Sequence, residues 1–102
     1  MPDSMVAGLA PMHPGELLRE DVIPGSGLSK TAFAQRLGIS REALHNVLSG
    51  KSSVSTILAL KLGRLLGTSP EIWLNMQRQY DLATLGPDKL AEIEKVEALD
   101  LV

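Results

Sequence analysis

The sequence predicts an all-α fold: a compact bundle of about five helices, with a further short helix at the C-terminus. Three observations carry this. Apolar residues recur at three- and four-residue spacing through most of the chain, the period of a helix with one buried face. Serine or proline opens these stretches and glycine closes most of them. No run alternates polar and apolar residues as a half-buried strand does.

The elements follow in order. Residues 1–12 are small, apolar and proline-containing, and read as a loose N-terminal arm. Pro14 at a first helical position and Glu16 soon after suit a helix start, since proline lacks the donor that would be orphaned there and an acid favours the positive end of the dipole. That helix is expected from Pro14 to Val22, with Leu17, Leu18 and Val22 inward, and Pro24-Gly25-Ser26-Gly27 as a loop. Ser29 then caps a helix over Lys30 to Leu37, with Phe33, Ala34 and Leu37 on one apolar face. Gly38 suits a left-handed turn, Ile39 points inward and Ser40 caps the next helix. In Arg41 to Leu48 the apolar residues are Ala43, Leu44, Val47 and Leu48; Arg41, Glu42, His45, Asn46 and Ser49 take the other face. A loop over Gly50 to Val54 leads to a fourth helix that starts at Ser55 or Thr56 and runs to Leu66, with Ile57, Leu58, Leu62, Leu65 and Leu66 as a wide stripe. Ser69-Pro70-Glu71 supplies cap, proline and first-turn acid for a fifth helix to about Thr84. Beyond Gly86-Pro87, residues 88–99 read as an acidic helix with Leu90, Ile93, Val96 and Leu99 at three-residue intervals. The domain organisation is thus an arm over 1–12, a body over 13–85 and an acidic segment over 86–102.

LSKTAFAQRLGISREALHNVL, residues 28–48, is the most informative stretch. Two short helices joined at a glycine, with a small residue (Ala34) where their backbones approach, make a helix-turn-helix. Leu44 and Val47 anchor the second helix and leave its opposite face free for the major groove of DNA. That face carries groups suited to base edges: Arg for guanine, Asn for adenine, Glu for the cytosine amino group.

Charge agrees with this placement. The chain carries −2 overall, which by itself does not suggest a nucleic-acid binder. Residues 1–27 hold one base against four acids, and residues 65–102 hold three against seven. Residues 28–64 hold six bases (Lys30, Arg36, Arg41, Lys51, Lys61 and Arg64) against Glu42 alone. Positive charge is confined to the segment bearing the motif, as phosphate neutralisation requires.

Other chemistries find little support. There is no cysteine, so no disulfide framework, thiolate metal site or thiol nucleophile. His13 and His45 have no ligand spacing, so no metal is expected. No GxSxG and no strand before Gly25-Ser26-Gly27 argue against a hydrolase or a phosphate loop; no enzyme and no cofactor are expected. One residue each of Phe, Trp and Tyr is too few for stacking single-stranded bases. Neither a membrane-spanning run nor a secretory signal is present, so a cytoplasmic protein without membrane partners is expected.

PMHPGELLRED, the helix-turn-helix, LSGKSSVS and ALKLGRLLGTSPEIWLNMQRQYDL together resemble the HigA-type antitoxins of bacterial toxin–antitoxin modules, within the phage-repressor-like (XRE) group. The resemblance covers about residues 10–85; HPGE and SPEIWLNMQ with YDL are its narrower marks. It implies a repressor-like DNA-binding fold working as a homodimer. It also implies binding to a palindromic operator, repression of the protein's own operon, and neutralisation of a HigB/RelE-like mRNA endonuclease toxin. The alternative is a stand-alone regulator of the same fold with no toxin partner. A third reading is a helical adaptor that no longer binds DNA.

On matching positions, Lys30 and Thr31 begin the first motif helix, where the group contacts phosphate. Ser40, Arg41 and Glu42 begin the recognition helix, with His45 and Asn46 one turn on. Arg41 and Asn46 are the foremost base readers, and Ser49 and Lys51 reach phosphates beyond the helix end. Glu42 either reads cytosine or serves the helix N-terminus and pairs with Arg41 or a neighbour. His45 either touches the duplex or is merely solvated. For the dimer contact, Leu66, Ile72, Trp73 and Met76 are the candidates, with core packing the competing role for Trp73, Met76 and Tyr80. The segment from Asp88 either meets a dimer partner or a basic toxin, or packs back on the body. HPGE reads as a helix start without chemistry of its own.

Overall fold

A computed structural model describes residues 11–100, all of whose regular structure is helical. The first helix, α1, runs through Pro14–Leu17, a wide π-helical stretch Leu18–Val22, and Ile23–Ser26. Then come α2 (Lys30–Leu37), α3 (Arg41–Leu48), α4 (Thr56–Leu66), α5 (Pro70–Ala83) and α6 (Pro87–Glu94). No helix among the described residues is long and apolar enough to cross a membrane.

The expected caps form. Ser29, Ser40, Ser55 and Ser69 each accept a backbone N–H of the first turn of α2, α3, α4 and α5. For α1 the cap is His13, whose Nδ1 accepts the Gly15 N–H at 2.9 Å. Gly38 closes α2 at φ 72, in the left-handed region that an added Cβ would penalise. Ser69 Oγ also donates to Glu71 Oε1 at 2.6 Å, which holds that carboxyl below its ordinary pKa.

The core is one cluster drawn from α1 to α5: Leu18 and Ile23; Phe33, Ala34 and Leu37; Leu44, Val47 and Leu48; Val54 of the loop; Leu58, Ala59 and Leu62; and Trp73. Phe33 and Leu44 are fully enclosed, so the two motif helices share an apolar seam. Truncating a side chain like Phe33 to alanine costs about 3–5 kcal/mol in such a core.

Several expectations need correction. The first helix does not stop at Val22 but continues to Ser26, and Pro24-Gly25-Ser26 is helical. A proline ring clashes with the carbonyl four residues back in a regular α-helix. Here the preceding turn is widened: the Ile23 N–H donates to the Leu18 carbonyl, five residues back, so the helix passes through Pro24. Ala43 and Ile57, expected inward, are exposed, Ile57 at 67%. The C-terminal helix is shorter than residues 88–99, spanning Pro87–Glu94, and buries nothing; Leu90, Ile93, Val96 and Leu99 all face solvent. The alternative in which it packs back on the body is thereby removed. Of the N-terminal arm expected over 1–12, residues 1–10 lie outside the described residues.

Candidate nucleic-acid interface

The site is one face of α3 and what borders it. Leu44, Val47 and Leu48 fix the helix from below, and this buried half leaves an open arc of side chains above. Arg41, Glu42 and His45 are exposed on it, and Asn46 is half-buried. At one flank Lys30, from the start of α2, lines a small cleft with Arg41 and His45. At the other, Asn46 and Ala43 line a groove with Ser52, Ser53, Ser55 and Lys61. The structure thus brings Lys30, Arg41 and His45 together and sets Asn46 one step around the helix. Thr31 is exposed in the first turn of α2, and Lys51 is exposed just beyond the end of α3.

The serines are partly committed to the backbone. Ser40 Oγ accepts the Ala43 N–H at 3.0 Å, a cap that leaves its own O–H free to donate. Ser49 Oγ donates to the Asn46 carbonyl at 3.2 Å. Ser52, which the sequence did not single out, donates its N–H to the same carbonyl at 3.0 Å, curling the loop so that Lys51 stands at its tip.

Electrostatically the face is uncompensated. Among the described residues the sole ion pair is Arg19–Glu20, at 2.8 Å. Lys30, Arg36, Arg41, Lys51, Lys61 and Arg64 therefore carry no acidic partner, and Glu42 is not held by Arg41. Lys61 lies against the turn, donating from Nζ to the Gly38 carbonyl at 3.3 Å. It and Arg64 flank Arg36 on the α2–α4 side, a cationic cluster legible only as excess charge in the sequence. An arc of amide, guanidinium and imidazole groups framed by unpaired cations can read base edges while neutralising phosphates.

The residues proposed for a dimer contact divide. Ile72 is exposed at 48%, and Leu66 and Met76 are partly buried against the core. Trp73 is corrected to a core residue: it is 2% exposed, and its Nε1 donates to Thr68 Oγ1 at 2.9 Å, so it has no surface to offer a second chain.

Comparison with known proteins points the same way. The helix-turn-helix family profile matches residues 23–73. Virulence-associated protein A′ of Dichelobacter nodosus is 36% identical, over 88% of this chain and 81% of its own length. Antitoxin HigA-1 of Vibrio cholerae is 33% identical, over 71% of this chain and 68% of its own. Among solved structures, the antitoxin GraA superposes with a TM-score of 0.79 at 40% identity, covering 90% of this chain and 100% of that one. GraA has also been solved in complex with its operator. The Pseudomonas aeruginosa antitoxin HigA with the higBA promoter gives a TM-score of 0.76 at 33% identity, covering 90% and 99%.

Proposed function

Because this chain belongs to the helix-turn-helix family, among its HigA-type antitoxins, we propose that it binds palindromic operator DNA as a homodimer, represses its own operon, and neutralises a HigB/RelE-like mRNA endonuclease. The observation that carries the DNA half is the division of α3: a buried apolar back and an exposed polar front, framed by cations without acidic partners. Arg41 and Asn46 read bases in the major groove. Lys30, Thr31, Ser40, Ser49 and Lys51 hold phosphates, and His45 sits with Arg41 and Lys30 where the helix enters the groove. Glu42, free of Arg41, is placed to accept from cytosine.

Two copies are needed because one such helix reads only about four base pairs, too few to select a site; a two-fold pair reads half-sites roughly 34 Å apart. Ile72, with Leu66 and Met76 beside it, supplies apolar surface for that contact. For the toxin, α6 and the residues after it offer exposed Leu90, Ile93 and Val96 among acids, complementary to a basic ribonuclease.

The test is a gel shift on the protein's own promoter, repeated across salt concentrations. Operator binding that weakens steeply with salt supports the DNA half, and binding that ignores salt, or no binding, ends it. Co-purification with the product of a short basic reading frame next to the gene tests the toxin half. Operator binding without any such partner would leave a stand-alone regulator.

A further inference from the structure

The last turn of α3 rests on the first turn of α1, and three contacts converge there. A Cβ built on Gly15 would lie 1.9 Å from the Val47 carbonyl oxygen, so only glycine lets the two backbones meet. Arg19 Nη1 donates to the Leu48 carbonyl at 2.9 Å, a bond spanning 29 residues of sequence. His13, buried at 6% exposure, caps the Gly15 N–H on one side and meets the Tyr80 ring of α5 edge-on at 5.0 Å on the other. The loop beyond α3 is then pinned at its far end, where Gln77 Oε1 of α5 accepts the Val54 N–H at 2.8 Å.

Two of these contacts, at the Gly15 N–H and the Leu48 carbonyl, fall on groups a helix leaves unsatisfied. The final carbonyls have no intrahelical donor, and a cation there complements the negative end of the dipole. Arg19 meets both needs at Leu48. The lever is long for its support: eight residues make a helix of roughly 12 Å. A tilt of about 10° at the Leu48 end would move the Arg41 end by about 2 Å, beyond the half-ångström or so within which a recognition geometry must be held.

We propose that Gly15 and Arg19, with His13 behind them, are positioning residues for DNA reading: they fix the tilt of α3 from its rear without touching the duplex. The proposal rests on the DNA-binding function above and assigns to the HPGE turn a role beyond starting a helix.

The experiment measures fluorescence anisotropy of the operator duplex and of a non-operator duplex of equal length. The full chain is compared with Arg19→Ala, Arg19→Lys and Gly15→Ala over a salt series, at a temperature where circular dichroism shows each folded. Arg19→Ala should lower operator affinity about tenfold, the scale of one charge-assisted hydrogen bond. The ratio of operator to non-operator affinity should fall by a similar factor, with the log–log salt slope unchanged because no phosphate contact is lost. Arg19→Lys, which keeps a donor, should recover part of the ratio. Gly15→Ala should lower the ratio with no change of charge; where it does not fold, Arg19→Ala decides alone. If both duplexes weaken alike and the slope becomes shallower by about one per protomer, Arg19 is a phosphate contact and the proposal fails. An unchanged ratio in folded variants also overturns it. If the unmodified chain binds no operator, it is the DNA reading that fails.

Discussion

Arg41 and Lys51 stand a helix length apart, and the proposed function gives them different contacts with the duplex. Arg41 begins α3, where a guanidinium can take both acceptors of a guanine edge. Replacing Arg41 with alanine should cost about 1–3 kcal/mol and relax base choice at one position of each half-site. Lys51 stands past the helix end on a curled loop; Lys51→Ala should weaken every sequence alike and reduce the salt slope by about one per protomer. Competition binding against single-base operator variants separates the two, and an Arg41→Ala chain that still discriminates would mean the reading helix has been misplaced. His13 yields a prediction about pH. Burial disfavours its charged form, and its pKa is lowered even though Asp81, the Ser52 backbone and Glu16 pull the other way. The unfolded chain then takes up a proton near pH 6.5 that the folded chain resists. Stability is full above that pH and declines as pH falls from about 6.5 toward the lowered folded value. Asparagine, whose side-chain oxygen can cap Gly15 without titrating, should flatten this component. Thermal melts of the native chain and His13→Asn at pH 7.5 and 5.5 test it; equal losses in both would show that His13 is not the group involved.

Among the elements, α6 differs from the rest. It has eight residues, none buried, whereas an isolated helix in water needs about 12–15 to persist. It lends no buried residue to the core, so removing residues 87–102 should leave the melting temperature of the body within about 2 °C. It should also abolish capture of the proposed toxin; a truncated chain that still captures it would place that contact on the body. The helices themselves were legible because each signal is local. Ser29, Ser40, Ser55 and Ser69 cap within three residues of themselves, and Gly38 turns within its own motif. The course of α1 was not, because Pro24 reads as a stop and the widened turn that admits it has no residue signature. Ile57 was misplaced because an apolar residue in the first turn of an amphipathic helix fits the stripe whether or not a neighbour covers it. The candidate site divides in the same way. Arg41, Asn46 and Lys51 follow from the motif, whereas the Arg19–Leu48 bond and the Gly15–Val47 approach join segments far apart in sequence and leave no spacing to read.

At the scale of the whole molecule, charge partition and symmetry act together. The proposed dimer would lay two copies of Lys30 and Lys51 along the phosphates, four cations in all, and the slope of log affinity on log salt should be about −4 or steeper. A single protomer holding the same contacts would give about −2, so a salt titration beside sedimentation of the complex tests stoichiometry as well as binding. One architectural detail also bears on time. The α2–α3 and α4–α5 pairs link neighbours along the chain, but the contact of His13 with Tyr80 joins the first helix to the far end of the body. Local helix pairs form quickly, while closing a long loop must first overcome its entropy. The order of assembly that follows is a helix-turn-helix formed early and steadied late, when α1 arrives. In native-state hydrogen exchange, the amides of α1 should accordingly open at lower free energy than those of α2 and α4.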